Sequence, residues 1–392
     1  MLYRMLGRTG CEVSNLGFGC MRLPLKSAGA GAEHPRLADV DEDRSIELIR
    51  SAVDQGVNYF DTAYSYHGGK SEAVLGRAVR GMREKVLLTT KLPVWLVKTA
   101  ESFDQLLDEQ LQRLGTSYLD FYLLHALNSD VWPRMIELGV FKFLDRIVAD
   151  GRVRRVGFSF HDDAATFKKI VDAYGWDICL IHLNYLDRSY QAGQEGLKYA
   201  AAKGLGVVIM EPLRGGTLTN PIPAEVEAVW NAAPKKRSPA EWALTWLWDQ
   251  PEVGTVISGM NSAAQLRENI EIAGRVTPRS LAAEEFAVID KAAETYRGLF
   301  KIGCTNCGYC LPCPQGVDIP MNFKLYNDIL LFHNVATSRM LYNGFMPSAE
   351  RASSCIECGE CEKLCPQQIP IMAELKNVDA ALAVGEKPEP PR

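Results

Sequence analysis

The stretch Tyr59 to Glu72, YFDTAYSYHGGKSE, sets an acid and a phenol five residues apart, where a strand pattern gives way to a loop. Val57, Tyr59 and Phe60 suit a short buried strand, Asp61 stands at its carboxyl end, and Gly68-Gly69 breaks the chain before a helix starting near Ser71. Two later strand-like runs end in the same way, VLLTTK on Lys91 and YLDFYLLH on His125. Singly, these residues also read as a helix cap, a surface lysine and a core histidine bonded to backbone. Delivered at the same end of successive strands, they read as the seed of an active site, because a barrel of parallel strands opens all its carboxyl ends on one mouth.

A second chemistry is written in cysteine. Of eleven cysteines, eight crowd into the last quarter of the chain. CTNCGYCLPCP carries Cys304, Cys307, Cys310 and Cys313, and CIECGECEKLCP carries Cys355, Cys358, Cys361 and Cys365. The second run fits the bacterial [4Fe-4S] pattern CxxCxxCxxxCP, and the first is one residue shorter before its last cysteine. In two-cluster domains the cysteine before proline usually ligates the other cube. That assigns Cys304, Cys307, Cys310 and Cys365 to one cluster, and Cys355, Cys358, Cys361 and Cys313 to the other. Four-cysteine zinc competes, but it needs two CxxC pairs and leaves the third cysteine of each run idle. Cys11, Cys20 and Cys179 read as ordinary thiols, with Cys20 placed to line the mouth.

The elements that must position these residues alternate without a break. Strand-like runs near 14–20, 57–61, 86–91, 118–125, 154–159, 178–183, 206–211 and 254–258 are each followed by a helical pattern. Eight such units predict a (β/α)8 TIM barrel, and Gly29 and Gly31 in the long loop from 21 to 42 lack GxGxxG spacing. One more helix is predicted over 280–296. Past Leu299 the composition turns to cysteine, glycine and proline, so residues 1–299 are expected to form the barrel. Residues 300–392 are then a small ferredoxin-like domain, mainly helical because 322–345 has helical periodicity. The 392 residues suit one barrel with one appendage. A net charge of −5 and the lack of a dense basic run point away from nucleic acid and anionic lipid. No window reaches the apolar length of a membrane span and no leader pattern opens the chain, so the expected location is the cytoplasm.

GVNYFDTAYSY, the lysine ending the next strand and LLH ending the one after together resemble the aldo/keto reductase family. The resemblance covers residues 1 to about 300, and it makes Asp61, Tyr66, Lys91 and His125 a catalytic tetrad. Reducing a carbonyl takes hydride at carbon and a proton at the developing alkoxide. Tyr66 is the candidate donor, and the Lys91 ammonium favours its phenolate and lowers a pKa ordinarily near 10. Asp61 would hold Lys91, while His125 orients the carbonyl or shares the proton. For a nicotinamide, the resemblance points to Ser159 at the carboxamide, with Phe160 in place of the usual asparagine. His182 stands where a glutamine is usual, and Met210 where an aromatic covers the ring. The Gly215-Gly216 pair would let backbone approach a pyrophosphate. In SGMNSAAQLREN, alignment on Asn269 leaves Gly259 and Gln265 where the family's adenosine 2'-phosphate site uses Lys and Arg, so NAD against NADP stays open.

Nicotinamide moves two electrons as hydride, each cluster moves one, and no flavin motif is present to convert between them. The leading expectation is an oxidoreductase that reduces a small carbonyl-type substrate, with the clusters relaying electrons to the site or from a ferredoxin or another carrier. The alternative is a redox-sensing or scaffold protein that binds nicotinamide without turnover.

Overall fold

The structure is a computed structural model and describes residues 1–26, 39–332 and 335–383. Part of the expected long loop, with Gly29 and Gly31, lies outside the described residues. The chain divides into two compact units, one of residues 1–219 with 237–286, the other of residues 220–236 with 287–392.

The first unit begins with an antiparallel hairpin, β1 (Tyr3–Met5) and β2 (Glu12–Ser14). Eight parallel strands follow and close on one another. They are β3 (Leu16–Gly19), β4 (Tyr59–Asp61), β5 (Leu87–Leu92), β6 (Leu119–Leu127), β7 (Val153–Phe160), β8 (Ile178–His182), β9 (Gly206–Met210) and β10 (Val253–Ser258). β10 pairs with both β9 and β3, so the sheet has no free edge. The predicted barrel is thus present, built from the predicted strands with ends shifted by a few residues.

Side chains alternate across a strand, so every second residue of each strand faces the barrel interior. The interior cluster holds Tyr59, Phe121, Leu123, Ile178, Leu180 and Val208. Continuing the same parity along these strands leads to Asp61, His125, His182 and Met210, at or near their carboxyl ends. At the amino end Leu6, from the hairpin turn, packs into the cluster, and a Cβ on Gly206 or Gly254 would strike its side chain. The hairpin plugs that end of the barrel and leaves the other to the polar residues.

Two helices differ from expectation. HALNSDVWPRM completes β6 and then forms the helix Val131–Glu137, where Trp132 is buried, a helix with no counterpart among the predicted helical patterns. The helix Ala224–Ala232 has no counterpart in the sequence reading.

In the second unit the helices Ile319–Phe332 and Ile371–Leu382 pack around a small apolar core that includes Phe323, Tyr342 and Leu375. Cys304, Cys310, Cys313, Cys355, Cys361 and Cys365 lie half-buried against it.

Candidate active site and metal centre

Asp61, Lys91 and His125 stand at the ends of β4, β5 and β6, and Tyr66 in the turn after β4, as the strand pattern anticipated. Register explains their meeting, since Asp61 is opposite Thr89 and Lys91 opposite Leu123. The Lys91 ammonium donates to Asp61 Oδ1 at 2.6 Å, to the Thr62 carbonyl at 2.8 Å and to the Tyr66 hydroxyl at 3.2 Å. Lys91 is 1% exposed, Asp61 1%, His125 2% and Tyr66 7%, so little solvent screens the group. Burial pushes the Asp61 carboxyl above its ordinary range, against the pull of Lys91. The His125 ring lies edge-on to Tyr66 at 6.1 Å between centroids and 5.1 Å from Trp95, itself partly exposed in the loop after β5. A buried ammonium three ångströms from a phenol oxygen stabilises negative charge there, which is what a proton donor needs. Cys20 is fully buried near Asp61 and Lys91, and burial holds its thiol protonated.

The residues expected around a nicotinamide fall in two places. Ser159, His182 and Met210 come to the carboxyl ends of neighbouring strands, with His182 opposite Met210 in register. Ser159 Oγ accepts the Ala126 amide at 2.7 Å, just beyond His125. His182 Nε2 lies 3.0 Å from Asp187 Oδ2, an oxygen that also accepts from Asn184 Nδ2 at 3.0 Å and Arg214 Nε at 3.1 Å. Burial alone would raise the Asp187 carboxyl, but these three partners hold it well below the ordinary carboxylate range. Gly215 and Gly216 form a turn with φ of +68° and +99°, a backbone glycine adopts freely. Gly259 follows β10 and leaves room for the Arg22 side chain, which pairs with Glu211 at 3.6 Å. Gln265 Oε1 accepts the Asn261 amide at the start of the helix Ala263–Ala273. Asn269 is buried and donates to Ser258 Oγ at 3.2 Å, tying that helix to the end of β10. Thus Ser159, His182 and Met210 meet at the carboxyl ends of adjacent strands, whereas Gln265 and Asn269 lie on the helix after β10, and Ser159, His182, Gln265 and Asn269 each already hold a partner within the chain.

Sequence reading missed Asp187, Asn184, Arg214 and His161, whose Nδ1 lies 3.3 Å from Gln191 Oε1. NYLD held the only signal for the first two, polar residues just past an apolar strand.

Among the described residues no three His, Cys, Asp or Glu side chains converge closely enough to hold a lone metal ion. Instead Cys304, Cys307, Cys310 and Cys365, the four cysteines assigned to one cube, line one hollow with Ile319, Phe323 and Ile369. Burial, then the nearby Cys307, Cys304 and Cys365, push the Cys310 thiol up. Cys361 is raised to about 11 by burial and by its neighbours, Cys355 first and Cys313 among the rest, three of the four assigned to the other cube. Cys358, the fourth, is exposed on its loop. An apolar hollow edged by four thiols fits a [4Fe-4S] cube, whose bridging sulfides set the thiolates apart. Two asparagines on the helix Ile319–Phe332 hold the loops, neither singled out from sequence. Asn327 Oδ1 accepts the Ile302 amide at 2.9 Å and its Nδ2 donates to the Ile302 carbonyl at 2.8 Å, two residues before Cys304. Asn322 accepts the Ala352 amide at 2.9 Å and donates to the Glu350 carbonyl at 2.8 Å, just before Cys355.

Comparison with known proteins places both parts of the chain in families. Residues 15–294 match the Aldo/keto reductase family and residues 303–369 the 4Fe-4S dicluster domain. An L-galactose dehydrogenase of Arabidopsis thaliana is 25% identical over 317 residues, 76% of this chain and 95% of its own. An NADH-specific methylglyoxal reductase of Escherichia coli is 26% identical over 308 residues, 68% of this chain and 91% of its own. Among solved structures, the holo form of an aldo-keto reductase from Bacillus halodurans superposes with a TM-score of 0.61. It is 27% identical, over 74% of this chain and 96% of that one.

Proposed function

Because the chain belongs to the aldo/keto reductase family and ends in a 4Fe-4S dicluster domain, we propose that it reduces a small carbonyl-type substrate at the barrel mouth with Tyr66 as proton donor. The observation that carries this is the 3.2 Å contact between the Tyr66 hydroxyl and a Lys91 ammonium that Asp61 holds at 2.6 Å. Tyr66 gives its proton to the developing alkoxide, Lys91 stabilises the phenolate left behind, and Asp61 holds Lys91 in place. His125, beside both Tyr66 and Trp95, orients the carbonyl oxygen. Relatives named for methylglyoxal and L-galactose make small oxygenated carbonyl compounds the class to test first.

When bound, a nicotinamide supplies two electrons as hydride, and two [4Fe-4S] clusters hold the same number as single electrons. Ser159, His182 and Met210 would face the nicotinamide, and Cys304, Cys307, Cys310 and Cys365 with Cys313, Cys355, Cys358 and Cys361 would hold the clusters. In this reading the clusters relay electrons between the barrel and a ferredoxin or another one-electron carrier. A second reading, redox sensing without turnover, is favoured by the place of the adenosine 2'-phosphate site, where Gly259 and Gln265 bring no cation and Gln265 Oε1 already accepts the Asn261 amide.

An anaerobic titration of cluster absorbance with NADH and then NADPH, on protein of measured iron and sulfide content, separates the two. Bleaching, with methylglyoxal turnover that disappears in Tyr66→Phe, is the expected result. Unchanged turnover in Tyr66→Phe refutes the proton-donor assignment, and tight nicotinamide binding without any turnover moves the protein to the sensing class.

A further inference from the structure

Behind the tetrad, on the helix side of the strands, lies a second buried polar network that the chemistry above does not use. Glu72, Thr90, Gln110 and Tyr122 are each 0% exposed. Glu72 Oε1 accepts from Thr90 Oγ1 at 2.7 Å and from Gln110 Nε2 at 2.6 Å. Gln110 Nε2 also donates to the Lys91 carbonyl at 3.0 Å, and Gln110 Oε1 accepts the Tyr122 hydroxyl at 2.8 Å. These partners fix the amide's orientation, because the Lys91 carbonyl can only accept and Oε1 is left to receive the Tyr122 hydroxyl. Arg113 completes the set against Glu72 Oε2 at 3.3 Å.

The members come from the elements that carry the tetrad. Glu72 is the second residue of the helix Ser71–Ala78, which starts one residue after the turn Tyr66–Gly69. Thr90 precedes Lys91 on β5, and Tyr122 is three residues before His125 on β6. Gln110 sits on the helix Glu101–Leu114 and bridges them. Beside it Ser71 Oγ lies 2.8 Å from Thr62 Oγ1 and donates to the Cys20 carbonyl at 3.1 Å, while the Thr62 carbonyl takes the Lys91 ammonium. The start of one helix is therefore bonded to Thr62, just past β4, and to Thr90 on β5, the strand that carries Lys91.

We propose that Gln110 and Glu72 are positioning residues that set the separation of the Tyr66 phenol and the Lys91 ammonium, by clamping the helix behind Tyr66 onto the strand end that carries Lys91. The inference rests on the proton-donor reading of Tyr66. A residue that supplied only stability would leave the ionisation of Tyr66 untouched, whereas a clamp would not.

The test compares Thr90→Val, which keeps shape and removes the donor to Glu72, with Thr90→Ser, which restores it, and with Gln110→Leu. Expected for Thr90→Val and Gln110→Leu is a kcat about tenfold lower, from a small loss of alignment, with KM changed less than about twofold. The alkaline limb of the kcat profile should move to higher pH as phenol and ammonium separate, and Thr90→Ser should return both to wild type. Tyrosinate absorbance, taken as the difference from Tyr66→Phe, should show the same displacement without any turnover. If Gln110→Leu does not fold, the Thr90 pair decides. A folded Thr90→Val with wild-type kcat, alkaline limb and tyrosinate titration, and only a lower melting temperature, overturns the inference. If the wild type itself reduces no carbonyl, the function reading fails, while the tyrosinate titration still judges the clamp.

Discussion

Lys91→Met removes the buried ammonium with little change in volume, and its cost follows from what stays behind. Asp61 is 1% exposed, bonds to Lys91 through Oδ1 at 2.6 Å, and its carboxyl is already pushed up by burial. Breaking a buried pair from one side typically costs about 3–5 kcal/mol, because the remaining charge is neither solvated nor matched. Part of that is recovered when the carboxylate takes a proton. The folded variant then binds a proton that the unfolded chain, with an aspartate pKa near 4, has released. Stability therefore rises as pH falls through the folded pKa, so the deficit should be largest near pH 8 and shrink toward pH 5. Asp61→Asn in the same background removes the stranded charge and should recover most of the loss. Urea denaturation of wild type, both single variants and the double variant, at the two pH values, gives the coupling energy. We expect about 2–3 kcal/mol at pH 8, with carbonyl turnover abolished in every variant that lacks Lys91. A coupling below about 0.5 kcal/mol, or a deficit that grows as pH falls, would refute the reasoning that this pair is buried, ionised and mutually dependent.

Three other outcomes are expected. Cys310→Ser should lower bound iron from about eight to about four per chain, read by iron and sulfide analysis, with the signal of the second cube retained. Asn327→Ala leaves the Ile302 amide and carbonyl without their partner, and should speed loss of the first cluster's absorbance under a chelator while methylglyoxal turnover driven by nicotinamide in the barrel changes little. His161 is held neutral, its pKa lowered to about 3 by burial and then by nearby His182. In the unfolded chain it protonates near 6.5, so its contribution is complete above that pH and lost on acidification toward 3. Thermal melts should show His161→Gln losing less stability than wild type between pH 7 and pH 5, by at most about 2 kcal/mol, because the ring is not fully enclosed.

What the sequence by itself determined was most of what is local and periodic, the helices Val131–Glu137 and Ala224–Ala232 excepted. Alternating strand and helix patterns specify a barrel, since parallel strands with apolar crossings have few other ways to cover both faces. Asp61, Lys91 and His125 were readable because each stands at or near the carboxyl end of a strand, and side chains of one parity at the ends of parallel strands must share a mouth. The cysteines were readable because cluster loops are short and their spacing is chemistry. Only the tertiary structure decided what depends on residues far apart in the chain. Gln110 on its own is one more polar residue in an amphipathic helix, and its place against the Lys91 carbonyl follows from how that helix packs on β5. Asp187 drawing His182, Asn184 and Arg214 onto one oxygen, and Asn322 and Asn327 holding the two cysteine loops from one helix, carry no spacing signal either. Desolvation is the physical reason, because a buried polar group must find its partner wherever the packed chain places one, and that choice is made in space, not along the sequence.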